Sequence, residues 1–366
     1  MQIQVKDIIN YLEQVAPLAY QESYDNAGLV VGEPMATVSG VLICLDVTEA
    51  VLEEAQAQNC NLVIAHHPII FKPLHQLTGG NQVERCVIQA IRQEIAIYTM
   101  HTNFDNILQG VNKQLAQQLA LQELRILLPK SGTLCKLTTF VPQTAMEPVL
   151  QALHQAGAGH IGDYSHCSFL SSGTGRFKPS EAANPYIGTA HQIEKITEYK
   201  IEAIFPTHLM QAVIAALKQA HPYEEVAYYI QKLANHDPSV GAGMMGEFPK
   251  NFTSDEFLAY IKHNLQLAHI RHSMPIARPI KKVALCGGSG SFLIQKAKQQ
   301  QADALITADL KYHDFFQAED QLLLVDIGHY ESEIATKNLI YDLLTEKFAS
   351  IVFLKCKTIT NPIYYS

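Results

Sequence analysis

Short apolar runs alternate, along the first third of the chain, with stretches whose apolar residues recur every three or four positions. Residues 38–46 (VSGVLICLD) form one run, Thr48 is placed to cap a helix over TEAVLEEAQAQ, and residues 61–65 (NLVIA) form the next run. An amphipathic stretch over 81–93 (NQVERCVIQAIRQ) leads to a third run at 95–100 (IAIYTM). Runs that are apolar throughout, separated by helical periodicity, predict a mostly parallel sheet covered by helices on both faces.

The last third repeats this style. Residues 281–286 (KKVALC) enter a glycine turn, GGSGS, and a helix is expected to about residue 300. Then come a strand at 303–307, a helix over KYHDFFQA, a strand at 322–327, a helix over about 331–348 and a strand in SIVFLKC. Between the two ends, residues 130–235 read differently. CKLTTFVP is a strand, 145–155 a helix, CSFLSSGTGRF and TEYKIEAIFP an antiparallel pair around a polar excursion, 209–220 a second helix and EVAYYIQKL a closing strand. That order is ferredoxin-like. The expectation is therefore an α/β core made of 1–129 and 236–366, interrupted by a ferredoxin-like α+β insert over 130–235.

Charge supports the division. The 366-residue chain carries 27 basic and 35 acidic side chains, a net −8; the middle segment holds 8 of each sign, so the whole excess lies in the flanking parts. A negative chain with no basic cluster beyond Lys281 and Lys282 argues against a phosphate-backbone clamp, so nucleic acid is not an expected partner. Lys6, Asp7 and Glu13 stand where a signal peptide would be apolar, and no run approaches the roughly 20 residues that span a bilayer. A cytoplasmic protein with no membrane segment is expected. The seven cysteines are odd in number and lie singly in apolar text, which reads as reduced core thiols rather than a zinc ribbon.

The chemistry lies in the 16 histidines, and above all in their placement. In NLVIAHHPIIF, His66 and His67 stand where a buried strand ends, the place where ligands collect in open parallel sheets. Adjacent side chains on an extended strand point opposite ways, so both reach one site only if the chain turns there, as Pro68 encourages. IAIYTMHTNFDN runs out into His101, Asn103 and Asp105, the last a good oxygen ligand for a divalent cation. LLLVDIGHYESE places His329 after a third buried strand and Glu333 four residues on, one helical turn away if a helix begins near Gly328. Helix capping by Glu331 or Glu333 is the competing reading.

Three strand ends thus deliver three imidazoles and two carboxylates. Five ligands are too many for one tetrahedral zinc and too few to close two shells unless a carboxylate bridges and water fills the rest. The expectation is a two-metal site with Glu333 as the bridge. Asp309 and His313, at one-turn spacing in ALITADLKYHDF, and His101 are candidates for orienting a ligand, contacting substrate or moving a proton. CGGSGS matches neither phosphate-binding glycine motif and reads as a tight turn without a ligand. Asp25 and Asn26 read as turn residues bonded to local backbone. The insert histidines 154, 160, 166, 191, 208 and 221 show no ligand spacing.

SYDNAGLVVGE, VIAHHPIIF, HTNFDN, ITADLKYHDF and VDIGHYESE, in this order and spanning nearly the whole chain, resemble the Nif-three-like dinuclear metal-centre family, often labelled GTP cyclohydrolase I type 2 homologues. The resemblance implies metal ligands at His66, His67, Asp105, His329 and Glu333, with Glu333 bridging. It also implies a homohexameric ring with metal sites facing an inner cavity. HPYEEVAYYIQKL, at the end of the insert, resembles the PII-like insert of the family's long bacterial members. The function expected is hydrolysis of a nucleotide or phosphorylated small molecule with two divalent ions, zinc foremost and iron, manganese or cobalt also suited. GTP as substrate rests on the family label. The alternative is a non-enzymatic metal-binding regulatory or scaffold protein acting through its insert.

Overall fold

A computed structural model describes residues 2–365. The chain packs as two compact units, residues 1–129 with 238–366, and residues 130–237.

The first unit contains two sheets. One is built from β1 (Gly28–Val31), β2 (Val41–Cys44), β3 (Leu62–Ala65), β4 (Ala96–Thr99) and, from the far end of the chain, β15 (Phe353–Lys355), in the order β1-β4-β3-β2-β15. Only β1 runs antiparallel to its neighbour; the other three pairings are parallel. Every residue of β2, β3 and β4 is buried, because both faces are covered. Val41, Ile43, Leu62 and Ile64 pack with helices Val5–Val15 and Thr336–Lys347 on one face. Leu42, Val63 and Ile97 pack with helices Glu49–Ala57 and Gln82–Arg92 on the other. Thr48 caps the first of these helices and Asn81 the second, each accepting a backbone N–H three residues on.

The other sheet takes β5 (Gln122–Pro129), β10 (Gly241–Phe252), β11 (Arg271–His272), β12 (Ile280–Ser289), β13 (Ala304–Ala308) and β14 (Leu323–Asp326) in the order β11-β14-β13-β12-β10-β5. Here only β12-β13 and β13-β14 are parallel, so the core is less parallel than the apolar runs suggested. The difference comes from β5, β10 and the two-residue β11. Three glycines break the apolar run of GAGMMGEFPKNF, and an antiparallel strand needs no helical crossover to mark it. CGGSGS also departs from expectation: Cys286–Ser289 continues β12, and the turn follows it. The helix expected over about 331–348 is two pieces, His329–Glu333 and Thr336–Lys347, and KYHDFFQA forms a 3-10 helix at Tyr312–Ala318.

In the second unit, β6 (Leu134–Pro142), β7 (Phe169–Phe177), β8 (Glu194–Pro206) and β9 (Tyr228–Lys232) form an antiparallel sheet in the order β7-β8-β6-β9. Helices Met146–Gln155 and Met210–Ala220 bury Val149, Leu153, Val213 and Leu217 against Leu137, Ile201 and Phe205 of this sheet. The element order is βαββαβ. All seven cysteines are free, and six are buried. No helix among the described residues is long and apolar enough to cross a membrane.

Candidate metal centre

The carboxyl ends of parallel strands from both sheets of the first unit supply one group of polar side chains. β2 runs out into Asp46, β3 into His66 and His67, and β4 into His101 and the short helix Thr102–Asp105. From the other sheet, β13 runs out into Asp309, and β14 leads through Gly328 to the helix His329–Glu333. Side chains converge here because parallel strands end together, and their last residues leave the hydrogen-bonded ladder.

His66 and His67 both reach the site. β3 has ended at Ala65 and the chain bends, bringing the two ring centroids within 4.9 Å. His66 is fully buried and its Nδ1 lies 2.7 Å from the carbonyl of Met100. A carbonyl accepts only, so Nδ1 carries the proton and Nε2 presents a lone pair. Burial lowers the pKa of His66, although Glu333 opposes it, which favours this neutral form.

Glu333 sits at the centre. It is 3% exposed, and its Oε2 lies 2.9 Å from His67 Nε2, 3.1 Å from His329 Nε2 and 3.8 Å from His66 Nε2. Burial raises its pKa, but the surrounding imidazoles of His66, His329 and His67 outweigh that and hold it well below the usual carboxylate range. The Nε2 atoms of His67 and His329 are 3.2 Å apart. Each of these rings is oriented from behind, His67 Nδ1 at 2.7 Å from Asp46 and His329 Nδ1 at 2.7 Å from Asp309. Carboxylates at both Nδ1 atoms keep the protons there and turn the Nε2 lone pairs toward one another, the pattern that accompanies histidine ligation. Without a cation, each ring is a favoured imidazolium. Burial disfavours the charge on His67, but Asp46 and Glu333 push its pKa up to about 10; on His329 the balance of burial against Glu333 and Asp309 leaves about 9.

Asp105 completes the group. Its Oδ1 lies 3.7 Å from His66 Nε2, and both atoms are buried without a hydrogen-bond partner. Burial and the nearby Glu333 charge push the Asp105 carboxyl well above its ordinary range. Two buried polar atoms that face each other without a hydrogen bond are costly in a dry site. Two ligands on one tetrahedral ion with bonds near 2.1 Å lie ~3.4 Å apart, so these spacings suit a shared cation. His66, His67 and Glu333 alone place three donor atoms within 4.8 Å of one another.

The remaining candidates divide. His101 lines the cavity, its ring 5.4 Å from those of both His66 and His67, with Nδ1 bonded to Asp25 at 2.7 Å. Asp309 orients His329. His313 is exposed on its 3-10 helix, its ring against Tyr312 and Phe316, and does not line the cavity. Asp25 does more than hold a local turn. It accepts the N–H of Asn26, but it also receives the His101 ring and the amide and hydroxyl of Thr102. Burial opposes its ionisation, yet these bonds bring its pKa down to about 2. Asp46 was not singled out by spacing, although it is an acidic residue ending the apolar run VLICLD, the same signal that marks the histidines. Two amides of CGGSGS are taken up by side chains: Gly287 N–H donates to Asn112 and Gly288 N–H to Ser332.

Gly288 also makes room for Glu333. Its φ is +61°, and a Cβ there would stand 2.4 Å from Glu333 Oε1. Gly288→Ala is expected to lower stability by about 2 kcal/mol in urea titration and to reduce metal uptake, since both the left-handed backbone and the carboxylate position resist a methyl group. A cavity of about 610 Å³ opens beside the cluster, with Tyr24, Phe71, Phe292 and Ile363 among its lining residues.

The family model described as Duf34/NIF3 (NGG1p interacting factor 3) matches residues 3–362. A Bacillus subtilis protein named GTP cyclohydrolase 1 type 2 homolog is 37% identical over 369 residues, covering 98% of both chains. A Mycobacterium tuberculosis protein of the same name is 32% identical, covering 99% of this chain and 97% of its own. Among solved structures, a Bacillus cereus protein related to NIF3 matches with a TM-score of 0.88 at 36% identity over the whole of both chains.

Proposed function

The chain belongs to the Duf34/NIF3 family, and on that premise we propose that it holds two divalent metal ions through His66, His67, Asp105, His329 and Glu333 and hydrolyses a nucleotide or phosphorylated small molecule. The observation that carries this reading is one buried carboxylate oxygen, Oε2 of Glu333, within 3.8 Å of three imidazole Nε2 atoms, beside the orphaned pair His66 Nε2 and Asp105 Oδ1. A single carboxylate so placed suits a bridge. Zinc fits this nitrogen and oxygen donor set first; iron, manganese and cobalt also suit it. Two such ions supply Lewis acidity and a water acidic enough to serve as nucleophile near neutral pH.

The chain's own groups do the rest. Asp46 and Asp309 fix the rings of His67 and His329, and Asp25 holds the proton of His101 on Nδ1, leaving Nε2 as an acceptor at the cavity wall. His101 is thereby suited to take a proton from a water or hydroxyl in the cavity. The nucleotide substrate leans on the relatives' name, which speaks of GTP cyclohydrolase homology. A homohexamer is proposed on the family resemblance and is read directly as particle mass in solution.

Elemental analysis of the purified protein, followed by a screen of nucleotides and phosphoesters, tests the reading. Wild type should carry metal and turn over one of these substrates, lose turnover on chelation and regain it on reloading. Turnover that persists in metal-free protein refutes it.

One observation favours a second reading, a metal-binding regulator acting through a PII-like insert. The insert alone builds a cavity of about 740 Å³, lined by Phe177, Tyr186, Tyr223, Glu198 and Lys200. If a variant lacking residues 130–237 keeps metal and turnover, the enzyme reading gains. If wild type shows no turnover while the insert captures an effector, the regulatory reading stands instead.

A further inference from the structure

Four parallel neighbours in the first sheet, β4, β3, β2 and β15, end on the same side, and β4, β3 and β2 lead into the cluster around Glu333. Beyond β15 the chain crosses the ends of the other strands. It is tied first to the helix Glu49–Ala57: the amides of Lys357 and Thr358, and the Thr358 hydroxyl, all donate to the Glu54 carboxylate, at 2.8, 2.9 and 2.6 Å. Two residues on, the Thr360 hydroxyl donates to Asp46 Oδ2 at 2.6 Å, while Asp46 Oδ1 receives His67 Nδ1 at 2.7 Å. Asn361 then donates to Glu331 at 3.0 Å, and Asn361, Pro362 and Ile363 line the cavity.

We propose that residues 357–363 form a strap that is part of the metal centre: Thr360, acting through Asp46, positions the His67 ring, so that docking of the strap and loading of metal reinforce one another. The inference rests on the metal-site reading above.

Asp46 is one-third exposed and follows a strand end, so its carboxylate has no rigid surround of its own. With one oxygen held by Thr360, the other is fixed where His67 Nδ1 finds it, and Nε2 is aimed at Glu333. Released from Thr360, Asp46 is free to turn toward water, and His67 loses a defined orientation. Partners behind a histidine ligand change metal affinity by roughly 10- to 100-fold when removed; Thr360 lies one bond further out, so the lower end applies. Coupling of this kind is reciprocal: whatever strap docking does for metal affinity, metal must do for strap docking. Because Asn361 and Ile363 sit on the same segment, loading the metal also sets a wall that substrate meets.

The test compares wild type, Thr360→Val and Thr360→Ser as full-length proteins. Zinc and manganese affinities are measured by competition with a chromophoric chelator, and amide hydrogen exchange of residues 357–363 is followed with and without metal. Valine keeps the shape and removes only the donor; serine restores it. Thr360→Val should bind metal about 10-fold more weakly while staying folded without metal, and Thr360→Ser should bind as wild type does. Exchange across the strap should slow on metal loading in wild type and in Thr360→Ser, but not in Thr360→Val. If Thr360→Val binds metal as tightly as wild type, or if strap exchange ignores metal in wild type, the coupling is wrong while the metal centre stands. If wild type binds no metal at all, the metal-site reading itself falls, and the inference with it.

Discussion

Replacing Glu333 with glutamine should reduce metal affinity by ~100-fold or more and leave the purified protein essentially metal-free by elemental analysis. The neutral amide keeps the size of the side chain but loses the charge and one of the two acceptor oxygens, so it cannot bridge. Glu333 Oε2 is within 3.8 Å of the Nε2 atoms of His66, His67 and His329, so a single substitution disturbs every one of them. A second effect is expected before any metal is added. In the metal-free wild type, Glu333 offsets the charge held on His67 and His329. Removing one member of a buried ion pair costs about 3–5 kcal/mol when the partner stays charged. Here the imidazoles can release their protons instead, so the loss should fall below that range and the two pKa values should drop. NMR titration of the imidazole carbons and urea denaturation separate the two effects. Wild-type metal affinity in Glu333→Gln would remove the bridge from the proposal.

Metal-free protein should lose stability as the pH rises from about 6.5 to 10, opposite to the trend expected of the loaded protein. The unfolded imidazole titrates near 6.5, whereas His67 and His329 in the folded chain are raised to about 10 and about 9. A raised pKa means that the folded state holds the proton more tightly. The associated stability is therefore fully present below pH ~6.5 and is lost as pH climbs through the folded values. Because both rings share Glu333 the two contributions do not simply add, and the loss should amount to several kcal/mol. Metal must displace the same protons, so its affinity should increase across that window, and binding near pH 7.5 should release the protons of His67 and His329. Thermal unfolding of metal-free protein from pH 6 to 10.5 reads the first trend. Calorimetry in two buffers of different ionisation enthalpy reads the second. A metal-free melting temperature that stays level over this range, with no proton release on binding, would show that the two rings are neutral before metal arrives.

Much of this site is visible in the chain because of where polar residues stand. VIAHH, YTMH and VDIGH each end a run that must be buried on both faces, and a histidine just past such a run lies at the carboxyl edge of a sheet. Helices capped by Thr48 and Asn81 carry their signal locally, in one side chain and the amide three residues on. The β5–β10 arm of the second sheet was hidden for the opposite reason. Its glycines and methionines carry no period, and its pairing is fixed by partners more than 100 residues away in sequence. His313 shows the limit of spacing as an argument: four residues after Asp309 in sequence, it is not held one turn above it, because the chain between them leaves Asp309 with φ of +55° before the 3-10 helix starts.

The order of residues alone determined that buried strands would end in imidazoles and carboxylates, since burial on both faces and the chemistry of each side chain are local properties. It did not determine which carboxylate stands behind which ring. Asp46 behind His67, Asp309 behind His329, Asp25 behind His101 and Thr360 behind Asp46 depend on the lateral order of strands across the two sheets and on how the chain leaves their ends. Those contacts join residues between 20 and 314 positions apart, and only packing of the apolar faces brings them within a hydrogen bond.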